Sequence, residues 1–551
     1  MSTLAVATAG AATEAITGAL PALVEDRVAS RLFAQDATLW GADAEPEASI
    51  RLAWTALHRS SRPLLGEVAA LREELMADGV DRVVLCGMGG SSLAPEVICA
   101  TEGNDIVILD SSHPVSVRAA LTDLERTVVV VSSKSGGTVE TDSQRRAFIA
   151  AFEGAGIDPT TRIVVVTDPG SPLEEQSRAD GYRVITADPH VGGRYSALTA
   201  FGLVPAGLAG VDIAALLDDA EAVADILASD DADNPALRLG AVLAGTRPLR
   251  DKIMLVDNGS PIVGFGDWAE QLIAESTGKD GTGVLPVVVL LDPTAEDGDT
   301  LDADDITTIE LVADVEDAEL VASSAAAVAG SLGAQLLLWE VATAVAGRLL
   351  GINPFDQPDV ESAKNAARQL LDQGTGAVTP PLFIDEDVEI RVLPEDGAGH
   401  EWIGSATNLA DAIAALLEQL DPTTGYVSVM AYLDRTEGGS GVDTDLPAVA
   451  PRLSRATDRP VTFGWGPRFL HSTGQYHKGG PTQGVYIQIT DTPEQDLDVP
   501  DRDFTFGGFI AAQAGGDAAV LGEHARPVLR LHITGPSGRA AVADALGSHG
   551  H

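Results

Sequence analysis

The chain has 551 residues, a net charge of −47 and a pI near 4.3. That balance argues against a surface for nucleic acid or anionic membrane, because both need clustered cationic charge, and it reads as solubility. With 45% hydrophobic residues and only 4% aromatics, the length permits about three or four domains with Ala-, Val- and Leu-rich cores.

The N-terminus, Met-Ser-Thr-Leu-Ala-Val, lacks the basic region of a secretory signal. Residues 11–79 carry apolar positions at helical spacing and predict an N-terminal helical segment, 1–79. From Asp81, β-branched runs alternate with helical stretches: Val83–Cys86, Ile106–Asp110, Thr127–Val131, Arg162–Val166 and Tyr182–Thr186. Near-continuous apolar strands separated by helices predict a parallel sheet, doubly wound, over 80–250. A second such unit, 251–385, holds strands Ile253–Val256, Val284–Leu291 and Thr308–Val312, a long helix 318–350 and a helix 358–372. A C-terminal α/β region, 386–551, has strands near 388–393, 426–432, 485–490 and 528–533. Candidate linkers are Asp230–Asn234 and Thr379–Pro381, and His549 and His551 belong to a frayed tail. No apolar run reaches ~18 residues without polar interruption, so a soluble, cytoplasmic protein is expected. Cys86 and Cys99 are expected as buried free thiols.

The five lysines are few against 30 arginines. Lysine persists where a compact ammonium differs from a guanidinium, at phosphates and titrating sites. Four of them, Lys134, Lys279, Lys364 and Lys478, sit in short Gly-rich or polar motifs, whereas Lys252 opens an apolar strand and looks incidental.

Gly87-Met-Gly-Gly-Ser-Ser-Leu93 follows the first strand, and Ser132-Ser-Lys-Ser-Gly-Gly-Thr138 follows the third. Glycines allow close backbone approach, and hydroxyls with helix N-terminal amides cradle a monophosphate. A dinucleotide fingerprint is the competing reading of the first loop: Asp110 ends the next strand, but Ser92 stands at the third glycine. Loops at the ends of neighbouring strands converge on one pocket. No His/Cys/Asp/Glu set has metal-ligand spacing, so metal-free chemistry without a cofactor is expected.

Together these loops resemble the sugar isomerase domain. Val191-Gly-Gly-Arg-Tyr-Ser196, Glu270-Gln-Leu-Ile-Ala-Glu-Ser-Thr-Gly-Lys279 and Phe355-Asp-Gln-Pro-Asp-Val-Glu-Ser-Ala-Lys364 narrow the resemblance to the glucose-6-phosphate isomerase family over roughly residues 40–375. The family pattern departs at Asp359, where Gly is usual, and in lacking a His between Glu275 and Lys364. His471-Ser-Thr-Gly-Gln-Tyr-His-Lys478 stands in for that segment, as in the divergent branch fused to, or encoded beside, transaldolase.

The resemblance implies two doubly wound sugar isomerase domains and reversible isomerisation of glucose 6-phosphate and fructose 6-phosphate through a cis-enediol, in a homodimer. It implies Glu275 as the base, Arg194 as the group offsetting enediolate charge, and Lys364 with a histidine for ring opening. His477 is favoured over His471 for that histidine. Gly90, Ser91, Ser133, Lys134, Ser135, Thr138, Glu140, Gly193 and Gln357 are the implied substrate and phosphate contacts. The nearest alternative is a dual glucose/mannose-6-phosphate isomerase. From a different class, a phosphosugar-binding regulator is disfavoured by the retained Glu275, Arg194 and Lys364.

Overall fold

The computed structural model describes residues 4–289, 301–372, 380–393, 401–435 and 446–548. Part of the strand expected over 284–291, the linker residue Thr379, and both tail histidines lie outside these. The first strand, β1 (Ala5–Gly10), was not expected. Helices follow from Ala11–Glu25 to Leu64–Ala77, with short 3-10 turns between.

The first sheet holds β2 (Arg82–Gly87), β3 (Val107–Leu109), β4 (Thr127–Ser132), β5 (Ile163–Thr167) and β6 (Arg183–Thr186) in the order β3-β2-β4-β5-β6. All its pairings are parallel. The chain runs from β2 to β3 on one side and then crosses to β4 on the other. The ends of β2 and β4 therefore flank the crevice where the winding reverses, the place where open α/β sheets bind ligands. Val128 to Val131 and Ile163 to Val166 are almost wholly buried, as strands covered on both faces require.

The second sheet runs β1-β10-β9-β7-β8, with β7 (Lys252–Asp257), β8 (Leu285–Val288), β9 (Ile306–Leu311) and β10 (Ser324–Ala329). Its core is parallel, and β1 adds antiparallel to β10, pairing Ala5 with Ala329. The helix expected over 318–350 is thus two elements: β10, then the helix Leu332–Leu350. Ser-Ala-Ala-Ala-Val-Ala has helical propensity, but β9 and β1 on either side supply a ladder that outweighs it.

The third sheet is mixed, β11-β12-β16-β15-β13-β14. Its strands are β11 (Phe383–Asp385), β12 (Val388–Leu393), β13 (Tyr426–Tyr432), β14 (Val461–Trp465), β15 (Gly484–Asp491) and β16 (Val528–Ile533). The two edge strands, β11 and β14, were not expected.

Buried ion clusters tie this region to the rest. Lys252, far from incidental, is fully enclosed, with Nζ 2.6 Å from Asp251 Oδ1, 3.0 Å from Asp305 Oδ2 and 3.0 Å from Gln483 Oε1. Arg459 also grips Asp305, so one carboxylate joins the second sheet to the third. Against the first sheet, Asp110 pairs with Arg435 at 3.1 Å and Arg468 at 3.2 Å. Bound in this way, Asp110 has no role left at a ribose, which removes the dinucleotide reading of its loop. Both cysteines are buried and free.

Candidate active site

Gly87 ends β2, and the chain turns through the 3-10 segment Gly89–Ser91 into the helix Leu93–Glu102. Gly89 takes φ +56°, and a Cβ on it would lie 2.7 Å from Gln271 Nε2 and 2.9 Å from His471 Cβ. A Cβ on Gly90 would lie 1.9 Å from the carbonyl oxygen of Gly193. The first loop is therefore pressed bare against both the turn that carries Arg194 and the segment that carries His471.

Arg194 is buried, and its guanidinium is held on every side. Nε donates to Ser276 Oγ at 2.8 Å, Nη1 to Gln357 Oε1 at 2.9 Å, and Nη2 to the carbonyls of Pro354 and Asp356 at 2.7 and 2.9 Å. Glu275, on the helix Phe265–Thr277, brings Oε1 within 3.8 Å of Arg194 Nη1, and its Oε2 accepts from Gln271 Nε2 at 3.2 Å. Lys279 closes the loop after that helix, donating to Asn353 O, Asp356 O and Asp356 Oδ1. Burial and the neighbouring Arg194 pull the Lys279 ammonium down to about 8, against the opposing pull of Asp356.

The second loop, after β4, folds on itself: Ser133 Oγ accepts from Gly136 N and Ser135 Oγ from Gly137 N, both at 3.2 Å. Thr138 then opens the helix Val139–Gly154, with its hydroxyl 3.4 Å from Ser133 Oγ. Lys134 turns the other way. Its ammonium donates to Val191 O at 2.5 Å and lies 3.4 Å from Asp168 Oδ2, anchoring the loop from behind.

A cavity of about 230 Å³ opens beside this loop. Ser135, Thr138 and Glu140 line one side, Lys364 the second, and His471 and Gln513 the third. His471 Nε2 lies 3.4 Å from Glu140 Oε1, which also accepts from Gln513 Nε2 at 2.7 Å. Burial alone would raise the Glu140 carboxyl, but the hydrogen bond and charge of His471 outweigh it and hold the group below its ordinary value. A single chain supplies all three walls.

His477, the favoured histidine, is elsewhere. It is 1% exposed, enclosed by Tyr426, Phe469 and Tyr486 with ring centroids 5.3 to 6.2 Å away. Its Nε2 lies 3.4 Å from Ser428 Oγ, and Nδ1 has no partner. Burial, aided by Lys478, drives its pKa well below the ordinary histidine value, so it is a neutral core residue. The reason is geometric: the short helix Gly474–Gly479 turns His477 onto the third sheet, while the preceding turn Arg468–His471 delivers His471 to the cavity.

The helix Pro358–Asp372 begins only after Gln357, which accepts from Arg194 while Lys364 faces the cavity. Asp359, the departure from the family glycine, accepts from Gln475 Nε2 at 2.6 Å, and its backbone N–H donates to Gln475 Oε1 at 3.1 Å. That carboxylate clamps the Lys364 helix to the His471 segment. Gln513 and Gln475 were not singled out beforehand; no local motif marks them, because their roles come from partners over 100 residues away.

The phosphoglucose isomerase family model matches residues 73–244. A protein of Natronomonas pharaonis named probable glucose-6-phosphate isomerase is 32% identical over 413 residues, 66% of this chain and 94% of the relative. One of the same name from Haloarcula marismortui is 30% identical over 361 residues, 57% of this chain and 82% of the relative. Among solved structures, a hypothetical protein of Thermus thermophilus superposes with a TM-score of 0.55 at 26% identity, covering 67% of this chain and all of that one.

Proposed function

The chain belongs to the phosphoglucose isomerase family, and from that premise we propose that it interconverts glucose 6-phosphate and fructose 6-phosphate by ring opening and a cis-enediol. It is an aldose–ketose isomerase, and its own side chains supply the proton transfers.

The observation that carries this reading is the cavity in which Ser135, Thr138, Glu140, Lys364 and His471 meet, from three distant stretches of chain. Hydroxyls and amides of the Ser133–Thr138 loop hold the phosphate at a helix N-terminus. His471, oriented by the Glu140 carboxylate, works with Lys364 on the ring oxygen and O1, one donating and the other accepting a proton as the ring opens. Glu275 then removes the C2 proton of the open aldose and returns it to C1. Arg194, 3.8 Å away, offsets the charge that develops on the enediolate oxygens. The many bonds to its guanidinium mean that little reorganisation is needed when that charge appears.

On this reading His471 acts in cis, beside the Glu140 of its own chain. The test is Glu275→Gln, which keeps the shape and removes the base. Isomerisation should fall by at least about 100-fold while phosphosugar binding persists. Full activity in that variant would sink the mechanism.

A further inference from the structure

Gln513 lies on the helix Phe506–Glu523, in the C-terminal region, and is 3% exposed. Its Nε2 is committed to Glu140 Oε1, and its Oε1 has no hydrogen-bond partner. The orientation of the amide follows from its neighbour. Glu140 is held below its ordinary value and is therefore an anion, so a flipped amide would set two acceptors face to face. A buried carbonyl oxygen left unserved is costly and uncommon, and calls for a donor from ligand or water. The residue that carries it forms part of the wall of the cavity shared with Lys364 and His471.

We propose that Gln513 is a substrate-contacting residue, its Oε1 accepting a hydrogen bond from a hydroxyl on the sugar's carbon chain while its Nε2 steadies Glu140. An amide oxygen repels a phosphate oxygen and attracts an O–H, so Gln513 serves the hydroxylated part of the ligand and the Ser133–Thr138 loop serves the phosphate. The inference rests on the phosphosugar isomerase reading. It adds that the C-terminal region takes part in sugar recognition as well as supplying His471.

Gln513→Met preserves side-chain length and removes both polar atoms. Calorimetric titration of wild type and variant with glucitol 6-phosphate, a polyol phosphate that cannot isomerise, and with inorganic phosphate separates the two contacts. We expect about 10-fold weaker binding of glucitol 6-phosphate and unchanged binding of phosphate. Equal weakening of both ligands, or unchanged glucitol 6-phosphate affinity, overturns the contact. If the variant does not fold, monodeoxy glucitol 6-phosphates on the wild type replace it. One of them should bind about 10-fold more weakly, and no loss with any of them overturns the contact. Wild-type protein that binds neither parent ligand overturns the isomerase reading itself, an outcome distinct from loss of the Gln513 contact alone.

Discussion

Lys478 Nζ lies 2.5 Å from Asp517 Oδ1, and neither side chain reaches solvent. The pair joins the His471–Lys478 segment to the helix that carries Gln513, four residues before Asp517. Removing one partner of such a pair leaves an uncompensated buried charge, which costs far more than the pair itself contributes. Lys478→Met should therefore destabilise the protein by about 3–5 kcal/mol. Adding Asp517→Leu should recover much of that loss, as urea unfolding of the single and double variants would show.

The two histidines of the same segment should behave oppositely. His471→Ala should lower turnover about 100-fold or more, with the loss shrinking when open-chain substrate is supplied. His477→Phe, an aromatic swap among Tyr426, Phe469 and Tyr486, should keep wild-type turnover. Steady-state kinetics on cyclic and open-chain substrate tests both; an equal loss in His471→Ala with the two forms argues against a ring-opening role.

Gly90 and Gly193 face one another, and only one tolerates a methyl group. Gly90→Ala drives a Cβ to 1.9 Å from Gly193 O and must part the loop from the Arg194 turn. A displacement of that order costs about 100-fold in activity. Gly193→Ala meets nothing within 4 Å and should remain active. Activity assays on the two variants compare them directly.

Glu340, on the helix Leu332–Leu350, is wholly buried with both carboxyl oxygens unpartnered. Burial raises its pKa well above the ordinary value, so it stays protonated when folded. The unfolded chain releases that proton above about pH 4.5. Folding stability is therefore lost as pH rises from there, by about 1.4 kcal/mol per pH unit until the folded group itself ionises. Glu340→Gln removes the penalty: it should be near neutral at pH 4 and stabilising by about 2–3 kcal/mol near pH 6.5. Unfolding curves at the two pH values check the sign.

Much of the site was legible in local chemistry. The loops 87–93 and 132–138, Arg194, Glu275 and Lys364 stand in motifs that the sequence singles out, and the structure puts the two loops at the ends of β2 and β4, Arg194 in the turn Gly193–Tyr195, and Glu275 and Lys364 on the helices Phe265–Thr277 and Pro358–Asp372. Lys134 was legible as an unusual residue but not in direction. Its motif predicts an ammonium at the phosphate, whereas its ammonium anchors to Val191 O and Asp168. β10 was misread because alanine's intrinsic preference says nothing about the strands waiting on either side.

The sequence by itself determined the fold class and the candidate chemistry, because period, turn residues and motif composition act over a few residues at a time. Only the tertiary structure separated the surroundings of His471, in the cavity wall, from those of His477, in the core. Six residues apart in one segment, they differ in what packs against them: an aromatic enclosure that keeps one neutral, and the Glu140 carboxylate that faces the other. The same holds for Lys252, Gln475 and Gln513. Each has partners more than 50 residues away, Asp305 and Gln483 for Lys252, Asp359 for Gln475 and Glu140 for Gln513, and contacts at that range are set by how the three sheets dock, a relation no local pattern encodes.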